Sequence, residues 1–400
     1  MSETTYKWSR FNHIVTKDKE RVLVYNTYSL YYRWIYNDDF EYLTTHTELN
    51  FENLDDMLIK EGYVVESDID EIERLKAEAR EYSNNDYLYL VIYTTMACNY
   101  RCSYCFEGDR LCNEHLTTEK ADEIISFAKR YCEQAGLNKI AIKWFGGEPL
   151  LNQEPIVYIT DKLNELGYTV RARIYTNGRL LTKEVATKLK ELRVDNILIP
   201  IDGLEKDYVR LKNCSKEDYY TVLKNIKECE DIVNITLLLN VTDTNKSGIQ
   251  KLIKLLHSKY GIKSKYRLNR IKHSNTSISN SDYYELCKKT SLLDEVIPRQ
   301  KIGCEAQYRN YVVINTKGDI FKCEHIINIE KYKVGNIKDV DIEQLMTNNT
   351  EWNTDRVIDE CKDCKLLPLC MNHCHTNNNI HKHECNYKFL CKMIHDRTTK

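Results

Sequence analysis

The sequence predicts an α/β protein whose central part folds as a partial (β/α)6 barrel. Between residues 86 and 295, short apolar stretches alternate with stretches of helical periodicity, which is typical of parallel β/α units. The residues that could bind a cofactor or take part in catalysis follow directly after the apolar stretches, where β/α barrels carry their active sites. We expect three domains: a small N-terminal α+β domain over residues 1–85, the barrel over 86–295, and a cysteine-rich domain over 296–400.

Composition excludes some function classes and points to metal sites. The chain has 400 residues, of which 42% are hydrophobic and 30% charged, and its net charge of −2 gives no general attraction to nucleic acid or anionic membrane. No apolar run suggests a secretory signal or a membrane span, so we expect a cytoplasmic protein. Sixteen cysteines in a reducing compartment indicate metal sites rather than disulfides.

The N-terminal segment predicts a small mixed domain that ends in a charged helix. Its final helix, residues 69–82, is most simply a solvated linker. The predicted elements are strands Arg21–Tyr25 and Ser29–Ile35 with Asn26 as the turn residue, a helix Asn50–Lys60, a strand Tyr63–Val65 and the helix Ile69–Tyr82.

Six strands and five helices are predicted for the barrel. The strands are Tyr87–Tyr93, Ile140–Phe145, Tyr168–Tyr175, Ile197–Ile201, Asn234–Val241 and Lys265–Leu268. The helices lie near residues 118–134, 155–166, 182–192, 218–229 and 247–259. Cys132 and Cys229 fall on apolar helix faces, so we expect them in the core.

Three cysteines follow the first barrel strand in one short loop. Cys98, Cys102 and Cys105 have the spacing C-x3-C-x2-C. A cubane iron–sulfur cluster normally takes four thiolates, so three would leave one iron open to a substrate or cofactor. The alternative is a structural zinc loop, but structural zinc usually needs four ligands, and no fourth Cys or His lies at short spacing.

This loop resembles the cluster loop of the radical S-adenosylmethionine (radical SAM) enzymes, whose signature is C-x3-C-x-aromatic-C. Tyr104 occupies the aromatic position and gives the loop an aromatic wall beside the cofactor. The resemblance implies a [4Fe–4S] radical SAM cluster and bound SAM. It also implies the fold, because a partial TIM-type barrel is the fold of that superfamily.

The loops after the second and third strands resemble cofactor-binding motifs of the same family. Gly146, Gly147, Glu148 and Pro149 resemble the GGEP motif, which implies that they hold the amino group of SAM. Two glycines let a backbone approach a ligand closely. The run 176–178, Thr-Asn-Gly, resembles a turn that contacts the ribose, which implicates Thr176 and Asn177; the alternative is a simple turn.

The loop after the fourth strand supplies a carboxylate and a guanidinium group. The run IPIDGLEKDYVR contains Asp202 and Arg210 and resembles a segment of radical SAM peptide and sulfatase maturases. That resemblance implies that Arg210 pairs with the SAM carboxylate, which a guanidinium can grip with two bonds. Arg210 lies closer to Asp202 than the family pattern expects. Asn240, at the end of the fifth strand, is a further candidate to face the cofactor.

The C-terminal segment contains seven cysteines in a recognisable pattern. They read C-x13-G-x4-C, then C-x2-C-x5-C-x3-C, then a final C, with a hairpin predicted between the first two at Tyr311–Asn315 and Asp319–Phe321. Zinc is the competing interpretation, because several histidines accompany the cysteines. The cysteines are Cys304, Cys323, Cys361, Cys364, Cys370, Cys374 and Cys391.

This pattern resembles the SPASM domain, which holds two auxiliary [4Fe–4S] clusters. The resemblance implies an inner set of Cys304, Cys323 and Cys374 and an outer set of Cys361, Cys364, Cys370 and Cys391. Sulfatase maturases have one more cysteine between the first two and an Asp base after the second. This chain lacks the extra cysteine and has Glu324 at the base position. The inner cluster then either has an open iron or takes Cys385 as a ligand.

Together these resemblances predict a radical SAM/SPASM enzyme most like the maturases of ribosomally made peptides. They imply reductive cleavage of SAM, hydrogen abstraction from a precursor peptide, an electron donor such as flavodoxin or ferredoxin, and a product such as a Cys thioether crosslink. The N-terminal domain either binds the leader peptide or caps the barrel. The alternatives are an anaerobic sulfatase-maturating enzyme, with Glu324 as a base, and a zinc-stabilised module without catalysis.

Overall fold

The computed structural model describes residues 4–271, 277–290, 304–347, 361–371, 385 and 387–399. They form two compact units. The first unit takes its residues from 1–84, 291–308 and 351–400, and the second from 85–290 and 309–350. The N-terminal segment and most of the C-terminal cysteines therefore share a unit. The division into three domains stays a prediction.

The first unit contains two small antiparallel sheets and flanking helices. Its sheets have the strand orders β5-β1-β6 and β2-β3-β4 and are built from β1 (Thr5–Trp8), β2 (Asn12–Lys17), β3 (Arg21–Asn26), β4 (Tyr32–Tyr36), β5 (Leu49–Asn50) and β6 (Val64–Glu66). Its helices, numbered along the chain, are α1 (Asn37–Thr45), α2 (Asp56–Lys60), α3 (Glu71–Ser83), α12 (Leu367–Cys370) and α13 (Tyr387–Thr398).

Several N-terminal predictions need correction. Asn26 is not the turn residue but the buried last residue of β3, and its side-chain amide donates to Asn12 Oδ1 at 2.8 Å and to Gly62 O at 2.7 Å. The helix expected over residues 50–60 is confined to α2, which Asp55 caps by accepting a hydrogen bond from Met57 N at 2.9 Å. Sequence analysis missed β1, β2 and α1, because these segments are short and largely polar.

Helix α3 is not a solvated linker, contrary to the prediction from its charge. Leu75 and Ala79 lie one turn apart and are buried. They pack in one core cluster with Phe11 of the N-terminal segment and with Cys361 and Leu367 of the C-terminal segment. Glu71 is buried on the same face, where its carboxylate accepts hydrogen bonds from Ser9 Oγ at 2.5 Å and Arg10 N at 2.9 Å. A helix with few apolar positions therefore still packs into the core of this unit.

The second unit is built on a nine-stranded sheet whose first six strands confirm the predicted parallel β/α barrel. The order is β12-β11-β10-β9-β8-β7-β13-β14-β15, and the pairs from β7 to β12 are parallel. The six strands are β7 (Tyr87–Thr95), β8 (Lys139–Gly146), β9 (Thr169–Tyr175), β10 (Val194–Pro200), β11 (Ile235–Val241) and β12 (Lys265–Arg270).

Helices follow the strands as predicted, with two additions among the described residues of the barrel segment. Sequence analysis missed α7 (Glu205–Lys212), which ends two residues beyond Arg210, and α10 (Asn280–Lys289). Cys132 and Cys229 are buried on helices that the sequence predicts, which confirms their expected core positions. The helices are α4 (Thr118–Ala135), α5 (Glu154–Glu165), α6 (Lys183–Glu191), α7 (Glu205–Lys212), α8 (Lys216–Cys229), α9 (Ile249–Ser258), α10 (Asn280–Lys289) and α11 (Ile342–Thr347).

A hairpin from the C-terminal segment extends the barrel sheet. Strands β13 (Tyr311–Ile314) and β14 (Asp319–Phe321) are antiparallel, as the sequence predicts, and β15 (Gly335–Asn336) pairs with β14. The unexpected feature is that β13 pairs in parallel with β7, with Tyr311 opposite Tyr89. The segment after β14, which carries Cys323, thus follows directly from the barrel sheet. Within the described residues, no helix is both long and apolar enough to span a bilayer.

We predict that Leu75→Ala destabilises the first unit. Removing a buried leucine side chain should lower the free energy of unfolding by about 2–5 kcal/mol, because the cavity cannot collapse fully. Urea denaturation measures this loss, and hydrogen exchange should localise it to α3 and its partners. The control is Glu81→Ala, an exposed position on the same helix. Equal stability of the two variants would restore the linker interpretation.

Candidate functional site

The cysteine loop follows β7 and is attached to the end of α7. The backbone N–H groups of Arg101 and Ser103 donate to Lys212 O at 3.3 Å and Leu211 O at 2.9 Å. Burial raises the pKa of the Cys98 thiol to about 11 and that of the Cys105 thiol to about 12. The bare loop is therefore protonated at neutral pH, and its thiolates require a compensating cation such as iron.

Gly146, the last residue of β8, and Gly147 lie directly against the end of β7 and the start of the cysteine loop. A Cβ on Gly146 would lie 2.3 Å from Thr95 O, and a Cβ on Gly147 would lie 2.4 Å from Ala97 O. No larger residue fits either position without moving the backbone. Two hydrogen bonds join the same loops, from Gly147 N to Thr95 O at 3.0 Å and from Glu148 N to Ala97 O at 2.8 Å.

The carboxylate of Glu148 connects the loops after β8 and β9. It is fully buried and accepts hydrogen bonds from Thr176 Oγ1 at 2.6 Å, Asn177 N at 2.7 Å and Leu150 N at 3.0 Å. Burial raises the pKa of Glu148, and these donors oppose that effect. Asn177 in turn donates from Nδ2 to Asn99 Oδ1 at 2.7 Å, which ties the loop after β9 to the cysteine loop. Pro149 is buried in the adjoining turn.

Asp202 is the centre of a second buried network. Tyr104 donates its hydroxyl hydrogen to Asp202 Oδ2, and Asn240 Nδ2 donates to the Tyr104 hydroxyl at 3.1 Å. The backbone of Asp202 is held by Asn245, whose Nδ2 donates to Asp202 O at 2.5 Å. Asp202 is fully buried, and its Oδ1 has no hydrogen-bond partner in the part of the chain that the structure describes. Such an acceptor suits a bound hydroxyl or ammonium group.

Lys212, which sequence analysis missed, is the buried cation of the site. Its Nζ lies 3.2 Å from Asp202 Oδ2. Burial alone would lower the pKa of Lys212, but the charges of Asp202 and Cys102 raise it above its ordinary value. Arg210 is exposed instead, and its Nη2 lies 3.0 Å from both Asp207 Oδ1 and Thr244 Oγ1. No local pattern marks Lys212 as a site residue, because lysines near a helix end are usually solvated.

Glu324 is paired inside the second unit. Its Oε1 contacts Lys143 Nζ of β8 and accepts a hydrogen bond from the Tyr311 hydroxyl at 2.8 Å. Burial would raise the pKa of Glu324, but Lys143 lowers it below its ordinary value. The carboxylate is thus anionic and a weak proton acceptor. Neither Lys143 nor Tyr311 carried a sequence signal, because both lie inside predicted strands.

Glu107 is a second acidic residue that sequence analysis passed over. It follows Cys105 by two positions and is buried. Burial raises the pKa of Glu107 to about 7, while a hydrogen bond from Tyr93 and the charge of Arg110 lower it. It lies inside the loop that carries the three cysteines, where only the structure reveals its burial.

The C-terminal cysteines divide between the units. Cys304 belongs to the first unit and Cys323 to the second, whereas Cys374 lies outside the described residues. The predicted outer set, Cys361, Cys364, Cys370 and Cys391, lies within the first unit.

Cys385 lies beside the outer set. Burial raises the pKa of Cys391, and the neighbouring thiols of Cys364 and Cys385 raise it further. Burial also raises the pKa of Cys364, again with a contribution from Cys385. Sequence analysis had left Cys385 open as a ligand of the inner set.

The donor set fits iron–sulfur clusters by its chemistry. Cys98, Cys102 and Cys105 are not in disulfides and lie together in one half-buried loop. Among the described residues, no three His, Cys, Asp or Glu side chains converge closely enough for a single metal ion. A cluster of four irons is larger than one ion and takes its thiolates from farther apart.

Comparison with known proteins identifies the second unit. Residues 92–256 match the family model described as the radical SAM superfamily. The GTP 3′,8-cyclase of Clostridium perfringens strain SM101 is 32% identical over 176 residues, which cover 42% of this chain and 51% of that protein. The chain thus spans about half the length of this relative. The cysteine-type anaerobic sulfatase-maturating enzyme of C. perfringens strain 13 is 22% identical over 327 residues, which cover 69% of this chain and 85% of that enzyme.

Two solved structures share the fold over most of the chain. Native anSMEcpe with bound AdoMet and Cp18Cys peptide has a TM-score of 0.63 and 19% identity, covering 78% of this chain and 97% of that one. Streptococcus suis SuiB bound to precursor peptide SuiA has a TM-score of 0.57 and 15% identity, covering 94% and 97%. At these identities the likeness shows the fold alone, and it confirms the α/β partial barrel.

We predict that Lys212→Met and Arg210→Met differ strongly in stability. Lys212→Met leaves the buried Asp202 carboxylate without its cation and should lower the free energy of unfolding by about 3–5 kcal/mol. Arg210→Met removes an exposed ion pair, which is worth about 0–1 kcal/mol. Chemical denaturation of both variants measures the difference. If Lys212→Met unfolded with the same free energy as the wild type, the Asp202–Lys212 pair would not be what holds the loop after β10.

Proposed function

We propose that this chain, whose residues 92–256 form a radical SAM domain, is a maturase that modifies a ribosomally made peptide. The observation that carries the proposal is the position of the three-cysteine loop. It lies between the Glu148 network, which joins the loops after β8 and β9, and the Asp202–Lys212 pair after β10. This arrangement gathers four loops at the C-terminal ends of parallel strands, where β/α barrels carry their chemistry.

The cysteine loop would hold the cluster, and the surrounding residues would hold SAM. With a [4Fe–4S] cluster at Cys98, Cys102 and Cys105, the family's chemistry is reductive cleavage of SAM to a 5′-deoxyadenosyl radical. The protein's own contribution is to bind, orient and exclude water. Tyr104 covers one side of the site because its hydroxyl is fixed between Asp202 and Asn240.

The residues proposed for SAM have different parts. Glu148 offers a buried carboxylate to the ammonium group, next to Gly146, Gly147 and Pro149. Thr176 and Asn177 position that carboxylate and remain candidates for the ribose. Asp202 Oδ1 offers a further acceptor. For the SAM carboxylate we propose Lys212 ahead of Arg210, because Lys212 is buried beside the cysteine loop, whereas Arg210 is exposed and engaged by Asp207.

The C-terminal cysteines would hold two auxiliary [4Fe–4S] clusters in a SPASM domain. The outer set, Cys361, Cys364, Cys370 and Cys391, shares one unit, and Cys385 lies beside its members Cys364 and Cys391. An inner cluster on Cys304, Cys323 and Cys374 then keeps an open iron. That iron would bind the thiolate of a substrate cysteine, which favours a Cys thioether crosslink as the product. We also propose that the enzyme works in the cytoplasm with an electron donor such as flavodoxin or ferredoxin, because thiols stay reduced in that compartment.

A precursor peptide is the proposed substrate. Among the described residues, strand β4 lies at the edge of the sheet β2-β3-β4, and Tyr32, Trp34 and Tyr36 form an exposed aromatic row along it. An edge strand offers unpaired backbone groups to an extended peptide, and the aromatic row offers side-chain contacts. SuiB and anSMEcpe, which share the fold, are both seen with peptides bound. We propose that β4 receives the leader segment.

The alternative is a sulfatase-maturating enzyme, to which the chain is related over most of its length. In that enzyme class a carboxylate after the second cysteine of the domain acts as a base. Here Glu324 is neutralised by Lys143 and has a lowered pKa. A paired carboxylate of this kind is a poor general base. We therefore propose that Glu324 anchors the Cys323 segment to β8, which favours the peptide-crosslinking function.

The first functional prediction concerns the radical cluster. Simultaneous replacement of Cys98, Cys102 and Cys105 by Ala should abolish production of 5′-deoxyadenosine from SAM under strong reductant. Iron bound by the C-terminal cysteines should remain, because those cysteines lie in separate segments. Product chromatography and iron counts per chain measure both effects. A triple variant that still releases 5′-deoxyadenosine would rule out the assignment.

The second concerns Glu148. Glu148→Gln should weaken SAM binding by about ten- to a hundredfold, the value of a charge-assisted bond of roughly 1.5–3 kcal/mol. The NH2 group of the new glutamine cannot accept a hydrogen bond, so one buried backbone N–H group loses its acceptor. Some loss of order in the loop after β9 should accompany the change. Equilibrium dialysis against iron-loaded protein gives the dissociation constant. Thr176→Val, which removes only the hydroxyl donor, should have a smaller effect. An unchanged dissociation constant for Glu148→Gln would reject the role.

A further inference from the structure

We propose that Arg110 is a positioning residue that fixes two loops relative to each other. One is the cysteine loop with Cys98, Cys102 and Cys105, and the other is the segment 323–329 after β14, here called the Cys323 loop. The guanidinium of Arg110 donates from Nη2 to Phe106 O, and from Nη1 to Ile327 O at 2.6 Å and His325 O at 3.2 Å. Phe106 directly follows Cys105, and the other two carbonyls follow Cys323 within four residues. One side chain therefore bridges the two cysteine-bearing loops of the second unit.

Only arginine matches this arrangement. A guanidinium presents five N–H donors in a rigid plane, so it serves carbonyls from two loops at once. The ammonium group of lysine is a flexible point charge on a shorter reach and would satisfy fewer of them. Arg110 is half-buried, and its position is set by a tight turn in which its backbone N–H donates to Glu107 O at 2.7 Å.

Both anchored segments are stiff enough to transmit the constraint to the cysteines. On one side, the backbone N–H of Gly108 donates to Cys105 O at 3.1 Å. On the other, Ile326 N donates to Cys323 O at 3.3 Å. These local bonds make each cysteine follow the carbonyls that Arg110 holds. A movement of either loop would break hydrogen bonds to a charged donor, which are among the stronger ones in proteins.

A ring contact and an ion pair lie beside the Arg110 bridge. The rings of Phe106 and His325 approach with centroids 4.4 Å apart, and Phe106 also meets Phe145 of β8 at 6.2 Å. The Lys143–Glu324 pair ties the Cys323 loop to β8. Arg110 has a different role, because it connects that loop to the cysteine loop itself. Its function in positioning the reaction rests on the proposed function, whereas the bridge between the loops does not.

The test compares Arg110→Ala, Arg110→Lys and a matched control, Arg130→Ala, in iron-loaded protein. Arg130 also donates to a backbone carbonyl, Ile337 O at 2.6 Å, but it joins α4 to the segment after β15. Hydrogen exchange followed by mass spectrometry reports the order of residues 105–112 and 323–329. For Arg110→Ala we expect faster exchange in both segments together, by on the order of tenfold, and partial rescue in Arg110→Lys. Arg130→Ala should leave both segments unchanged.

A second readout separates positioning from simple loop stability. The midpoint potential of the cluster on the Cys98 loop should shift in Arg110→Ala and recover in part in Arg110→Lys, because such potentials respond to solvent exposure and hydrogen bonding at the sulfurs. Iron content should stay at the wild-type level. With SAM alone and a chemical reductant, 5′-deoxyadenosine should still form.

Different results would refute the role proposed for Arg110 and the proposed maturase function. Faster exchange confined to residues 105–112, or an unshifted potential in Arg110→Ala, would reduce Arg110 to a residue that stabilises its own loop. Absence of 5′-deoxyadenosine from the wild type would refute the proposed function. The exchange data would in that case still decide whether Arg110 joins the two loops.

Discussion

Two buried carboxylates hold the site together, and much of the second unit serves to place them. Glu148 joins the loops after β8 and β9, and Asp202 joins Tyr104 of the cysteine loop to Lys212 at the end of α7. Burying either charge is costly unless it is compensated, so loss of a partner exposes the whole cost. Four loops that would otherwise move independently are thereby fixed around three cysteines, at the edge of a rigid parallel sheet.

Elsewhere in the chain, too, segments that are distant in sequence build one sheet or one core together. The hairpin of β13 and β14 extends the barrel sheet, which brings Cys323 and Glu324 to the side of β7. In the first unit, Cys361 and Leu367 complete a core that Phe11 and α3 begin. Segments distant in sequence thus depend on each other for burial. The cysteine loops are consequently parts of packed cores rather than appendages.

Sequence alone predicted the barrel strands and the place of the three cysteines in the loop after the first of them, because apolar strands are local signals. The role of these cysteines as cluster ligands stays a prediction. Sequence analysis failed where burial is decided by partners distant in the chain. The charge of α3 suggested solvent, yet Leu75 and Ala79 suffice to bury one face. The role of Arg210 stays a prediction, but no local pattern revealed that Lys212, two residues later at the end of α7, is buried beside Asp202. The hydrogen bonds of Arg110 join residues more than two hundred positions apart, and no local pattern encodes them.

The most direct test of the central claim uses a variant in which the three-cysteine loop is the one predicted cluster site left intact. In this variant, Ala replaces Cys304, Cys323, Cys361, Cys364, Cys370, Cys374, Cys385 and Cys391. The measurement is the electron paramagnetic resonance spectrum of the reduced, iron-loaded variant before and after addition of SAM. An open iron at Cys98, Cys102 and Cys105 predicts a cluster signal that changes when SAM binds. A cluster signal that SAM leaves unchanged, or a loop that binds no iron, would contradict the account.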